Sequence, residues 1–129
     1  MINTIFNNKA ENILPQLPND SIDMVLTDPP YFLCKMDDNW SPELVNNKKF
    51  QGKIKSLPAG MSFDRQQGKN LYDWYYKISL EIFRILKPGG FFFSFSSPRL
   101  YHRLASAMDD AGFEIRDMFS WLYTSSQVK

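Results

Sequence analysis

The sequence predicts an α/β fold, with mostly parallel strands in one sheet and helices on both faces. Three observations predict it. Residues 22–27 and 91–96 are strand-length runs rich in apolar β-branched or aromatic side chains. The stretch between them ends in a segment whose apolar residues recur at helical spacing. A second helical pattern follows the second run, and strand–helix alternation of this kind suits a parallel sheet covered by helices.

The chain has 129 residues, 43% hydrophobic and 22% charged. That supplies the core of one domain and excludes a disordered or fibrous chain. Fifteen basic against fourteen acidic residues, a net charge of +1, exclude a strongly cationic nucleic-acid coat. The one cysteine, Cys34, excludes an internal disulfide framework and a cysteine-based zinc cluster. No apolar run reaches the length of a membrane span, and the N-terminus lacks a signal-peptide pattern. A soluble, cytoplasmic, single-domain protein is therefore expected.

In chain order, residues 2–6 form a short apolar run, expected as a first strand. Asn8 and Glu11 have the spacing of a capping box, and Ala10, Ile13, Leu14 and Leu17 mark one helical face until Pro15 and Pro18 interrupt it. Residues 22–27 read as a buried strand stopped by Pro29 and Pro30. Periodicity then fails over about residues 32–70, which predicts a long mobile loop of the kind that is functional when it occurs inside a compact domain. Charge is uneven along the chain. Residues 1–31 carry one base and four acids, whereas residues 32–70 carry seven bases and four acids.

Leu71, Trp74, Tyr75, Ile78, Ile82, Ile85 and Leu86 predict an amphipathic helix, with Trp74 and Tyr75 in the core. Lys87 falls in its last turn, and Pro88-Gly89-Gly90 should end it in a tight turn before the strand at 91–96. Ser97 and Pro98 fit the cap and first position of a helix running to about Ala111, with Gly112 as its stop. Phe113, Ile115, Phe119, Trp121 and Tyr123 alternate as in a last strand, with Asp117 the polar exception.

Sheets of this class bind ligands at the carboxyl ends of their strands. Directly after the first apolar run stands Asp28-Pro29-Pro30-Tyr31. Two prolines fix the backbone and remove two N–H donors, so the turn offers mainly acceptors beside the flat ring of Tyr31. Acceptors next to a stacking platform suit a planar group bearing an amine, such as a nucleobase, whose stacking on an aromatic is worth roughly 1–3 kcal/mol. The plainer alternative is a turn in which Asp28 caps a helix.

The stretches SIDMVLTDPPY, EIFRILKPGG, FFFSFSSP and GFEIRDMFSWLY together resemble the amino-methylating DNA methyltransferases. The resemblance runs through nearly the whole chain. It implies a partial Rossmann-like methyltransferase sheet and transfer of a methyl group from S-adenosylmethionine to adenine N6 or cytosine N4 of double-stranded DNA. Asp at the first position of Asp28-Pro29-Pro30-Tyr31 points toward adenine. The resemblance further implies a base flipped from the duplex, stacked on Tyr31, its amine held by Asp28 and a Pro29 or Pro30 carbonyl. Asn7-Asn8-Lys9-Ala10 resembles the segment, usually Gly-Asp-Ala, that contacts the cofactor adenine. This makes Asn8, Ala10 and Asp28 the implied cofactor residues, while Asn8 serves equally as a helix cap. Lys48, Lys49, Lys53, Lys55, Arg65 and Lys69 are candidates for contacts to DNA phosphates or for a solvated loop.

His102, with Arg99 and Arg103 on one helix, and the pair Asp109-Asp110 read as solvated, so no metal site is expected. The family's Phe-x-Gly-x-Gly turn is matched by none of the six glycines. The sequence is therefore expected to be the catalytic half of a permuted enzyme, with the cofactor turn on a further C-terminal segment or a second chain. Methyl transfer by the isolated residues is expected to be weak or absent. Two other readings stay open: an RNA or protein amino-group methyltransferase, and a non-catalytic DNA- or partner-binding remnant.

Overall fold

A computed structural model describes residues 3–31, 65–122 and 124. Its elements are a short helix α1 (Ala10–Ile13), a 3-10 turn (Leu14–Gln16), strand β1 (Ile22–Thr27), helix α2 (Arg65–Ile85), strand β2 (Leu86–Ser94) and helix α3 (Tyr101–Asp110). The two strands pair in parallel, joined through α2. This is the expected α/β arrangement in a partial Rossmann-like form.

Helix α2 carries the core. Leu71, Tyr75, Ile78, Ile82 and Ile85, spaced four or three apart, are all buried, the i, i+3, i+4 stripe of a core-facing helix. Leu71 and Tyr75 pack with Leu104, Ala107 and Met108 of α3. Ile78, Ile82 and Leu86 pack with Ile22 and Val25 of β1 and Leu14 of the 3-10 turn. Trp74, Phe92 and Phe113 touch both groups. Trp74 is half-buried, and its indole Nε1 donates to Glu11 Oε1 at 2.6 Å.

The helix begins six residues before its apolar period does. Residues 65–70 lack an apolar face, but Arg, Gln and Lys are good helix formers, and Gly68 lets α3 approach closely: a Cβ there would lie 3.6 Å from Leu100 Cδ2. The predicted loop at 32–70 thus yields its last six residues to α2, and its remainder, with Cys34, lies outside the described residues.

Pro88-Gly89-Gly90 does not separate helix from strand. It lies inside β2, where the register jumps from Ile22 opposite Leu86 to Met24 opposite Phe91. Three extra residues are accommodated as an irregularity, which needs glycine: Gly89 has φ +81°, and a Cβ on Gly90 would sit 3.0 Å from the carbonyl oxygens of Asp23 and Lys87. Lys87 Nζ meets Asp23 Oδ1 at 2.6 Å across the same kink.

The capping box at Asn8 and Glu11 is not formed. Helix α1 starts at Ala10 with Lys9 in the cap position and no side-chain cap. Asn8 Oδ1 instead accepts from the Lys9 N–H and from Asn12 Nδ2, both at 2.8 Å, and Glu11 is drawn to Trp74. The segment is held at its other end by Arg84, whose guanidinium donates to the carbonyls of Leu14 and Leu17 and to Asn19 Oδ1.

Ser97 does not cap α3 through its side chain. Its carbonyl accepts the N–H groups of Leu100 and Tyr101, so a turn precedes the helix, and its buried hydroxyl has no hydrogen-bond partner among the described residues. Gly112 ends α3 as expected: φ is +107°, and the Phe113 N–H returns to the Met108 carbonyl at 3.1 Å.

The expected outer strands at 2–6 and 113–123 are not strands among the described residues. Ile5 is 95% exposed and Phe119 78% exposed. An alternating pattern makes a segment able to pair, but a strand exists only where another strand supplies its hydrogen bonds. Val25 and Phe92 face the helices, whereas Met24, Leu26, Phe91, Phe93 and Phe95 are exposed on the other side. The described helices therefore cover one face of the sheet, and β1 is half-buried instead of buried. The second helical layer of the expected fold is not among the described residues.

Candidate active site

Strand β1 stops at Thr27 for a chemical reason. The last rung to β2 is the Phe95 N–H donating to the Thr27 carbonyl at 2.9 Å, and beyond it Pro29 and Pro30 have no N–H to donate. The chain leaves the sheet at its carboxyl end with Asp28 and Pro30 exposed, Pro29 buried and Tyr31 half-buried. Burial of Pro29 anchors the turn, and the residues on either side of it project outward.

Tyr31 turns back on the start of the motif. Its phenol Oη donates to Asp28 Oδ1 at 2.7 Å. Aromatic ring and carboxylate therefore occupy one small surface, with Asp28 Oδ2 free of any partner among the described residues. Ring, carboxylate and adjacent proline carbonyls together can hold a flat, amine-bearing group. The ring stacks and the oxygens accept the amine hydrogens.

The other anticipated residues are distributed differently. Asn8 and Ala10 lie at the start of α1, exposed, and no hydrogen bond links Asn8 to the Asp28 turn. With its oxygen engaged by Lys9 and Asn12, Asn8 has its amide N–H groups left to offer. Among the described residues no glycine turn follows the carboxyl end of either strand, since Gly89 and Gly90 stand near the opposite end of β2. The described acceptor set thus fits an amine-bearing base and does not form a cradle for a nucleoside–amino-acid cofactor.

Lys48, Lys49, Lys53 and Lys55 lie outside the described residues. Arg65 is the first residue of α2, and Lys69 is exposed one turn on. His102 and Arg103 are exposed on α3. Asp110 has a structural partner: Tyr72 Oη donates to its Oδ2 at 2.5 Å, tying α2 to α3 and raising the Tyr72 phenol above its ordinary range. No cluster of metal-ligating side chains occurs among the described residues, and none of the described helices is long and apolar enough to cross a membrane.

Arg103 acquires significance that periodicity could not signal. Parallel pairing of β1 with β2 places Asp28 beside the residues that lead into α3. Tyr75 Oη and Ser94 Oγ share a hydrogen bond of 2.5 Å, so the part of α2 before Tyr75 extends past the carboxyl end of the sheet. The first turns of α2 and α3 consequently meet at the end of the molecule that carries Asp28.

The N6/N4 DNA methylase family matches residues 22–129. The chain is 28% identical to the type II methyltransferase M.HindIII of Haemophilus influenzae, over 94% of its own length and 43% of that protein. It is 25% identical to the type II methyltransferase M.BamHI of Bacillus amyloliquefaciens, over 74% of its length and 18% of that protein. The chain therefore spans less than half the length of either relative. No solved structure matches it.

Proposed function

The chain belongs to the N6/N4 amino-methylating DNA methylases, and from that premise we propose that it supplies the base-holding part of a site-specific DNA amino-methyltransferase of a restriction-modification system, acting on adenine N6. The observation that supports this is the Tyr31–Asp28 pair at the carboxyl end of β1, ring and carboxylate joined at 2.7 Å. The methyl donor is S-adenosylmethionine, which supplies an electrophilic methyl group.

The derivable work of this chain is orientation. A flipped adenine stacks on the Tyr31 ring and donates its amine hydrogens to Asp28 and to a carbonyl of Pro29 or Pro30. Those bonds draw the amine toward tetrahedral geometry and make its lone pair available, so the contribution is positional and electrostatic, with no covalent bond to the protein. The cofactor turn is provided by a further segment or a second chain, and the 129 residues alone transfer methyl groups poorly or not at all.

A pool of random-sequence duplexes with 2-aminopurine replacing adenine tests the base-holding claim. The expected result is a rise in fluorescence as the base leaves the stack, abolished by Tyr31→Ala. Duplex binding without any such rise would overturn it. Incubation with tritiated S-adenosylmethionine and unmethylated duplex DNA tests completeness, and rapid turnover by the isolated chain would refute the incomplete-site claim. In a transfer-competent form, N6-methyladenine is the expected product and N4-methylcytosine the contrary one.

A further inference from the structure

We propose that Arg103 and Lys69 form a contact for a DNA phosphate group at the active-site end of the molecule. The inference rests on the DNA reading above and adds the residues that grip the backbone.

The placement follows from the fold. Helices α2 and α3 both begin at the carboxyl end of the two strands, the end at which Asp28 and Tyr31 stand. Gly68 of α2 lies against Arg103 of α3: a Cβ at position 68 would be 3.3 Å from Arg103 Cγ and 3.4 Å from its Nε. Glycine in a helix interior is unfavourable, and here its missing side chain is the space that the arginine stem fills. Arg103 is thereby seated along a helix surface instead of waving in solvent, which reduces the freedom lost on binding.

The charges agree with an anionic ligand. Arg103 and Lys69 are exposed, and neither forms an ion pair with an acid among the described residues. Asp73, one turn beyond Lys69, does not pair with it, and Asp110, near the other end of α3, is engaged by Tyr72. Arg99 precedes α3 at the same end. A planar guanidinium held in place, with an exposed ammonium carried by the residue after Gly68, suits a phosphodiester, which the arginine can bind through two oxygens.

The test is binding of a fluorescein-labelled duplex by anisotropy across a salt series, with far-UV circular dichroism to verify folding. Arg103→Ala with Lys69→Ala is expected to lower the slope of log affinity against log salt by about one, for the one phosphate contacted, and to weaken binding roughly 10-fold at 0.1 M salt. Arg103→Lys should keep the slope, because charge is preserved. Gly68→Ala, which displaces the arginine stem without changing charge, should weaken binding less than the double variant. Lys77→Ala, further along α2, should leave the slope unchanged. An unchanged slope in the double variant, or an equal loss in Lys77→Ala, overturns this contact while leaving the DNA reading intact. Failure of the unmodified chain to bind duplex overturns both.

Discussion

The phenol of Tyr31 donates a 2.7 Å hydrogen bond to the carboxylate of Asp28 across two prolines that have no N–H of their own. One side chain thereby orients the carboxylate beside its own ring, and in the proposed function that ring is also the surface on which the base stacks.

The two roles separate on substitution. Tyr31→Phe keeps the ring and loses the donor, so base flipping read by 2-aminopurine fluorescence should persist while methyl transfer in the catalytically complete protein falls roughly tenfold, one neutral-to-charged hydrogen bond. Tyr31→Ala should lose both, including the roughly 1–3 kcal/mol of base stacking. Asp28→Ala should remove transfer by at least about a hundredfold. Retained turnover in Asp28→Ala would take that residue out of its assigned role.

Arg84 is the mechanical link between the first segment and the end of α2. Its Nη1 donates to the Leu17 carbonyl at 2.8 Å and to Asn19 Oδ1 at 2.6 Å, while Nη2 donates to the Leu14 carbonyl and pairs with Glu81 Oε2, both at 2.9 Å. Arg84→Met keeps much of the stem and strands those half-buried acceptors. A loss of roughly 2–3 kcal/mol in urea unfolding is expected, with faster amide exchange at Asp20 and Ser21, whose N–H groups reach the Arg84 and Ile85 carbonyls.

The two glycines of the β2 kink should differ in sensitivity. At Gly89 a Cβ meets open space, so Gly89→Ala costs mainly the left-handed backbone, about 1 kcal/mol. At Gly90 a Cβ meets two carbonyl oxygens and Leu86 Cδ2 at 3.0 Å, so the strands must shift. Gly90→Ala should cost roughly 1–3 kcal/mol. Thermal unfolding of both variants ranks them, and equal midpoints would contradict the kink geometry.

Alkaline pH should destabilise the domain through Tyr75. Burial pushes its phenol well above the ordinary range, and the Ser94 hydrogen bond offsets this in part. In the unfolded chain the group ionises near pH ~10, so the native state holds the proton where the unfolded state has released it. The stabilisation is complete below pH ~10 and declines as pH rises beyond it. Tyr75→Phe should flatten that decline in urea titrations between about pH 9 and 11, and cost about 1 kcal/mol at neutral pH by removing the Ser94 bond.

Legibility in the sequence tracked the range of the interactions. Leu71, Tyr75, Ile78, Ile82 and Ile85 are buried as their spacing required, and β1 ends where Pro29 and Pro30 make it end. The predicted strands holding Ile5 and Phe119 rest on pattern alone, and no neighbouring described strand satisfies them. Glu11 has the spacing of a cap, yet it accepts from Trp74, 63 positions away, because a tertiary contact offered a stronger donor than its own helix terminus did. In sequence Arg103 has the pattern of a solvated arginine, and its seat against Gly68 exists only in the packed fold.

The sequence by itself determined the long helix, the first strand and the acceptor turn Asp28-Pro29-Pro30-Tyr31, because each depends on side-chain period or on proline chemistry within a few residues. Only the tertiary structure decided that Pro88-Gly89-Gly90 folds into a strand, that Tyr31 bonds back to Asp28, and that Gly68 and Arg103 meet at the end of the molecule that carries Asp28. Those outcomes turn on which atoms come within hydrogen-bonding or van der Waals reach once helices and strands pack. No local periodicity encodes that distance.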